Sequence, residues 1–134
     1  MTSNQTRHFA LALACVFALG ALPALCFAQT SEAERNAELY LESVVIAKRG
    51  PLCAARIGGF AERFEPAFAH WRARMAPRLN AGEAFLRAAA HAEKADFAEH
   101  VSNVTDAPAR RLGKASQNIL ETNCEILLRR IAAP

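Results

Sequence analysis

No segment of this chain alternates polar and apolar residues as a half-buried strand does, so a sheet-based fold is not expected. Internal repeats and low-complexity tracts are also lacking. Neither sign of charge dominates, with 16 Lys and Arg against 13 Asp and Glu. Setting aside Arg7, which falls in the leader described below, leaves a net charge of only +2. That is too little for long-range attraction, so nucleic acid and anionic lipid are not expected partners. The residue patterns of common chemistries are missing too. There is no Gly-x-Ser-x-Gly turn for a nucleophile and no glycine-rich phosphate loop after a strand. Covalent haem would need Cys-x-x-Cys-His, but Cys124 is followed by Glu125-Ile126-Leu127. The chain is therefore not expected to be an enzyme and implies no cofactor.

Cysteine is scarce, and its distribution is informative. Of four residues, Cys15 and Cys26 lie in the first 28 positions and Cys53 and Cys124 beyond them. Those first 28 positions resemble a secretory signal peptide. Arg7 and His8 give a basic start, 9–22 is an apolar run, Pro23 breaks it, and Cys26-Phe27-Ala28 offers small residues where a signal peptidase reads. Cleavage is expected after Ala28, leaving a helical domain at 29–134. An uncleaved anchor is disfavoured by the alanine content, the proline and the cleavage-like triplet. A lipid-anchored cysteine is disfavoured because Leu25 directly precedes Cys26, and Ala12 stands three before Cys15. No later segment is long and apolar enough to span a bilayer, so no stable membrane insertion is expected after cleavage. Export to the periplasm or beyond would place Cys53 and Cys124 where lone thiols pair.

The remainder reads as all-α. Ser31-Glu32-Ala33-Glu34 is a capping-box pattern that opens a first helix, with Ala37, Tyr40, Leu41, Val44, Val45 and Lys48 on one stripe and Gly50-Pro51 as its stop. Next, Cys53, Ile57, Phe60, Phe64, Phe68, Trp71 and Met75 recur at spacings of 4, 3, 4, 4, 3 and 4. This second helical face holds most of the aromatic mass and is expected to be core. Gly58-Gly59 should loosen it, and Pro66 should kink or split it. A break is expected over 77–82, a third helix over 83–101, and a loop over 102–106. A last helix should run from Asp106 as N-cap to about Ile131, with Leu112, Ser116, Leu120, Cys124, Leu127 and Ile131 buried. On these boundaries Cys53 begins helix two and Cys124 lies far along helix four. A straight up-down-up-down bundle then fits the disulfide poorly, because the two Cα atoms must approach within about 7 Å. An irregular four- or five-helix bundle closed by one disulfide is the expected fold, with either an extra reversal near Pro66 or an oblique crossing of shorter helices.

Most arginines and lysines can be assigned to helix C-termini, where the macrodipole favours them: Lys48-Arg49, Arg72, Arg74, Arg78 and Arg129-Arg130. Arg110, Arg111 and Lys114 fall instead in the first turns of the expected last helix, where positive charge is unfavourable. They are therefore a candidate partner surface, with His70, Trp71 and Arg74 as a second patch. Glu93, Asp96 and His100 share a helical face, but the arrangement suits a solvated surface better than a metal site. Met75 could meet His91 or His100 across a bundle only at matching depth. Asn103-Val104-Thr105 is a glycosylation sequon on an expected loop, and Glu121 with Glu125 is a like-charge pair one helical turn apart. The expected function is protein–protein binding by a small exported helical protein, as inhibitor, immunity or envelope accessory factor. The alternative is a carrier using the bundle interior for haem, a metal or an apolar ligand.

Overall fold

The structure, a computed structural model, describes residues 31–133. The expected leader, residues 1–28, and its cleavage site lie outside the described residues. Among those described there are four helices and no strands: α1 Glu32–Ala54, α2 Phe60–Ala92, α3 Phe97–Gly113 and α4 Gln117–Ala132.

The start of α1 follows from its sequence. Ser31 Oγ accepts from the Glu34 amide at 3.2 Å, and Glu34 Oε2 accepts from the Ser31 amide at 2.7 Å. These bonds hold the Glu34 carboxyl below its ordinary pKa, the Ser31 backbone bond contributing most. The end of α1 is a correction, because the helix passes through Gly50-Pro51 and closes only after Cys53. Pro51 faces solvent, where the carbonyl it leaves without a helical partner can be hydrated. Gly50 is buried beneath a ring, since a Cβ there would stand 2.2 Å from the Phe64 side chain. The buried face of α1 is also rotated from the expected stripe. Asn36, Ala37, Ser43, Ile46, Gly50 and Cys53 are buried, while Tyr40, Leu41, Val44, Val45 and Lys48 are half-exposed.

The chain reverses over 55–59, at Gly58-Gly59. Gly59 takes a left-handed backbone (φ 69°) as N-cap of α2, a conformation glycine adopts without a Cβ penalty. Gly58-Gly59 is thus a true break rather than a loosened helix. Beyond it, α2 runs unbroken for 33 residues, with both Pro66 and Pro77 inside it. The expected kink or split at Pro66 and break over 77–82 are replaced by one rod of about 50 Å. Its inner face stacks Phe60 on Phe64, Phe64 on Phe68 and Phe68 on Trp71, at centroid distances of 5.6, 5.2 and 5.9 Å. Phe60, Phe64 and Trp71 are buried, and Phe68 and Met75 pack half-buried beside them. Each fully buried aromatic contributes roughly 1.5–3 kcal/mol, so this row is a main source of stability.

The segment 83–101 is not one helix. Its first part completes α2, and the chain turns at 93–96. Ala95 N–H donates to Ala90 O at 2.9 Å and Lys94 N–H to His91 O at 3.1 Å, the paired bonds of a Schellman end. The left-handed position of that motif is Lys94 (φ 56°), where glycine is the usual residue. Lys94→Gly is expected to raise the unfolding free energy by about 1 kcal/mol, read as a higher urea midpoint at unchanged slope. No change, or a lower midpoint, would count against that strain.

Asp96, rather than Asp106, is the next N-cap, accepting from the Glu99 amide at 2.9 Å. The expected loop over 102–106 lies inside α3, as does Pro108. The expected last helix divides at 114–116 into the end of α3 and a short α4. Leu112 is buried in α3, and Leu120, Cys124, Leu127 and Ile131 are buried in α4. Ser116 is the exposed N-cap of α4.

Contacts along the helices fix their directions. Gly50 meets Phe64, and Asn36 meets Gly82, so α2 runs against α1. Tyr40 faces Phe97, and Lys48 reaches Asp106, so α3 runs with α1. Arg63 pairs with Glu125, and Arg74 reaches Ala133, so α4 runs with α2. The bundle is up-down-up-down, with α1 central and packed most extensively on α2. This arrangement accommodates the disulfide without an extra reversal at Pro66. Cys53 now ends α1, and Cys124 is only the eighth residue of α4, whose start Arg56 ties to the end of α1. The Cα atoms stand 5.9 Å apart, and both cysteines are fully buried.

Candidate binding groove

The corrected boundaries relocate the residues singled out above. Arg110, Arg111 and Lys114 belong to the last turn and C-cap of α3, where the negative helix end favours them. The electrostatic reason for assigning them to a partner therefore disappears. All three remain exposed, and Arg110 pairs with Asp106 at 3.8 Å. In the second patch His70 and Arg74 are exposed, whereas Trp71 is not. Trp71 is 4% exposed and packs in the core. Arg74 donates to Ala133 O at 2.7 Å, at the end of α4, and its Nη1 lies 2.9 Å from His70 Nδ1.

The helix-end charges also need correction, because α1 has no basic residue in its last turn and Arg72, Arg74 and Arg78 lie in mid-α2. The Asn103 sequon lies within α3, with Thr105 fully buried. Among the described residues, no three His, Cys, Asp or Glu side chains come together to hold a metal. Glu121 accepts from Gln117, and Glu125 pairs with Arg63. No helix of the described residues is long and apolar enough to cross a membrane.

A grooved face lies elsewhere, around Tyr40. Residues 40, 44 and 48 follow one another up α1 at a spacing of four and look out between α2 and α3. On the α2 side, Tyr40 and Ser43 border a hollow of about 420 Å³ with Ala69, Arg72, Ala76, Leu79, Asn80 and Glu83. On the α3 side, Tyr40, Val44 and Lys48 border a second hollow, of about 520 Å³, with Arg87, Asp96, Phe97 and Val101. Tyr40 is the wall both share.

This wall is held in place from several directions. The Tyr40 ring lies 6.3 Å from Phe97. Arg87 lies over Phe97 at 4.0 Å, and its Nε and Nη2 donate to Glu83 Oε1 at 2.9 and 2.6 Å. At the upper edge, Lys48 Nζ donates to Thr105 Oγ1 at 2.7 Å and to Asp106, while the Thr105 hydroxyl donates to Val101 O. The Lys48 hydrogen bond is the main cause that lowers the Asp106 pKa, so this carboxylate stays ionised and keeps α3 tied to α1. Tyr40 is shifted the other way. Burial of its phenol and the nearby Glu83 carboxylate raise its pKa, with Arg87 and Arg72 only partly opposing them. The phenol therefore remains a protonated donor throughout the neutral range.

Sequence reasoning places Tyr40 in a core stripe and Phe97 on the shared face of the expected third helix, and gives no binding role to Asn80, Glu83, Arg87 or Phe97. The usable signal was the polar line 72, 80, 83 and 87 over alanines at 69, 73 and 76. It becomes visible only when 77–82 is recognised as helix. No family model, no curated protein and no solved structure matches this chain.

Proposed function

We propose that this protein acts by binding another protein through the Tyr40 groove, as an exported inhibitor, immunity or envelope accessory factor rather than as an enzyme. The observation that supports the reading most is the composition of the groove. Tyrosine, phenylalanine and arginine are enriched at protein interfaces, with tyrosine and arginine prominent among hot spots, and Tyr40, Phe97, Arg72 and Arg87 line these hollows. The alanines between them let a partner backbone approach closely. Export is inferred from the leader-like first 28 residues, and the buried disulfide is compatible with an oxidising compartment. The alternative of a ligand in the bundle interior has less support, because Phe60, Phe64 and Trp71 occupy the inward positions of α2.

The test is retention of partners from an envelope extract on immobilised protein. The wild type and Arg111→Ala should retain the same specific partner. Tyr40→Ala should weaken it about 30-fold, the effect of losing a hot spot worth ~2 kcal/mol. Retention of nothing specific, or of a partner indifferent to Tyr40→Ala, overturns the proposal.

A further inference from the structure

We infer, resting on the binding role proposed above, that the Tyr40 groove takes an acidic segment of its partner, with an Asp or Glu side chain held by Arg72. The argument begins from charges already committed. Of the two carboxylates in the groove, Glu83 is engaged by Arg87, and Asp96 accepts from the Glu99 amide at the start of α3. Lys48 is committed to Thr105 and Asp106. Arg72 is the remaining cation. It lies over Phe68 at 5.9 Å and pairs with no carboxylate among the described residues.

Two more polar groups border the same hollow without a hydrogen bond from the described residues, the Tyr40 hydroxyl and the Asn80 amide. Guanidinium, phenol and amide together offer a donor-rich wall whose donors are unused inside the protein. A carboxylate is the side-chain group with matching demand. It presents two oxygens with about four lone-pair sites and meets a guanidinium in bidentate geometry. Ala69, Ala73 and Ala76 form the low side of the hollow, so a peptide carrying that carboxylate can lie against α2 without steric obstruction.

A displayed library of random twelve-residue peptides, panned on the purified protein, tests this. Peptides recovered on the wild type should each contain an Asp or Glu whose replacement by Asn or Gln weakens binding at least tenfold. Arg72→Glu should weaken the same peptides at least tenfold and, panned afresh, should recover Lys- or Arg-containing peptides instead. Arg72→Lys should fall between, since it keeps the charge but not the fork. Arg72 is exposed, and equal melting temperatures for these variants would exclude misfolding.

Free glutamate at the same concentration should not compete. If it does, the hollow takes a small carboxylate and the partner-segment inference fails. Peptides that lose binding with Tyr40→Ala yet ignore both Arg72→Glu and removal of their acid overturn the acidic-segment inference and leave the groove reading standing. No peptides, or peptides indifferent to Tyr40→Ala, overturn both.

Discussion

Replacing Cys53 and Cys124 together by alanine is expected to lower the unfolding free energy by about 4 kcal/mol. The bridge joins residues 71 apart, so its loss frees most of the described chain in the unfolded state. Domains of this size carry a total of about 5–15 kcal/mol, so the double variant should lose between about a quarter and four-fifths of its stability. Its melting temperature should fall by roughly 20 °C. Both cysteines are fully buried among Phe60, Leu120 and the rest of the core, so a reductant should reach the sulfurs only when the bundle opens. Reduction of the native protein should then be slow and should accelerate steeply in urea. A loss below about 1 kcal/mol in paired urea titrations would show that packing alone closes the bundle.

Gly82→Ala is expected to destabilise by about 2 kcal/mol or more, although alanine in a helix ordinarily gains about 1 kcal/mol over glycine. The reason is the crossing of α1 and α2. A Cβ at position 82 would stand 2.0 Å from the Asn36 carbonyl oxygen and 2.5 Å from its carbon, and these are backbone atoms that cannot rotate aside. The helices would have to separate at the end of the bundle where α1 begins. Gly113→Ala is the control, since a Cβ there meets only Leu52 at an ordinary 3.9 Å. It should be neutral or stabilising. Equal effects of the two substitutions in urea titrations would contradict the close approach.

The elements legible in the sequence are those fixed by local chemistry. The Ser31 capping box opens α1 as its residues require, Cys53 and Cys124 pair, and the Phe60–Trp71 spacing marks a buried helical face. Several of the misplaced boundaries share one cause, the use of proline as punctuation. Pro51, Pro66 and Pro77 all point outward from continuous helices, so the carbonyls they orphan can meet water. Pro108 is likewise inside α3. The true turn at Lys94 carries no glycine, and a left-handed lysine gives no sequence signal. That error propagates to the site. With α3 and α4 fused, Arg110, Arg111 and Lys114 fall at the wrong end of a helix and look anomalous. With α2 cut at 77–82, the line from Arg72 to Arg87 is split and the groove around Tyr40 disappears.

Four internal prolines across three of the four helices have a consequence for how this protein acquires its shape. Each deletes one backbone bond and costs about 3 kcal/mol in the interior of a free helix, so these helices depend on tertiary packing for their stability. The nascent chain thus has little helix to form on its own, and order comes with assembly of the aromatic row and the sulfur clasp. A polypeptide of this kind stays pliable until its parts meet.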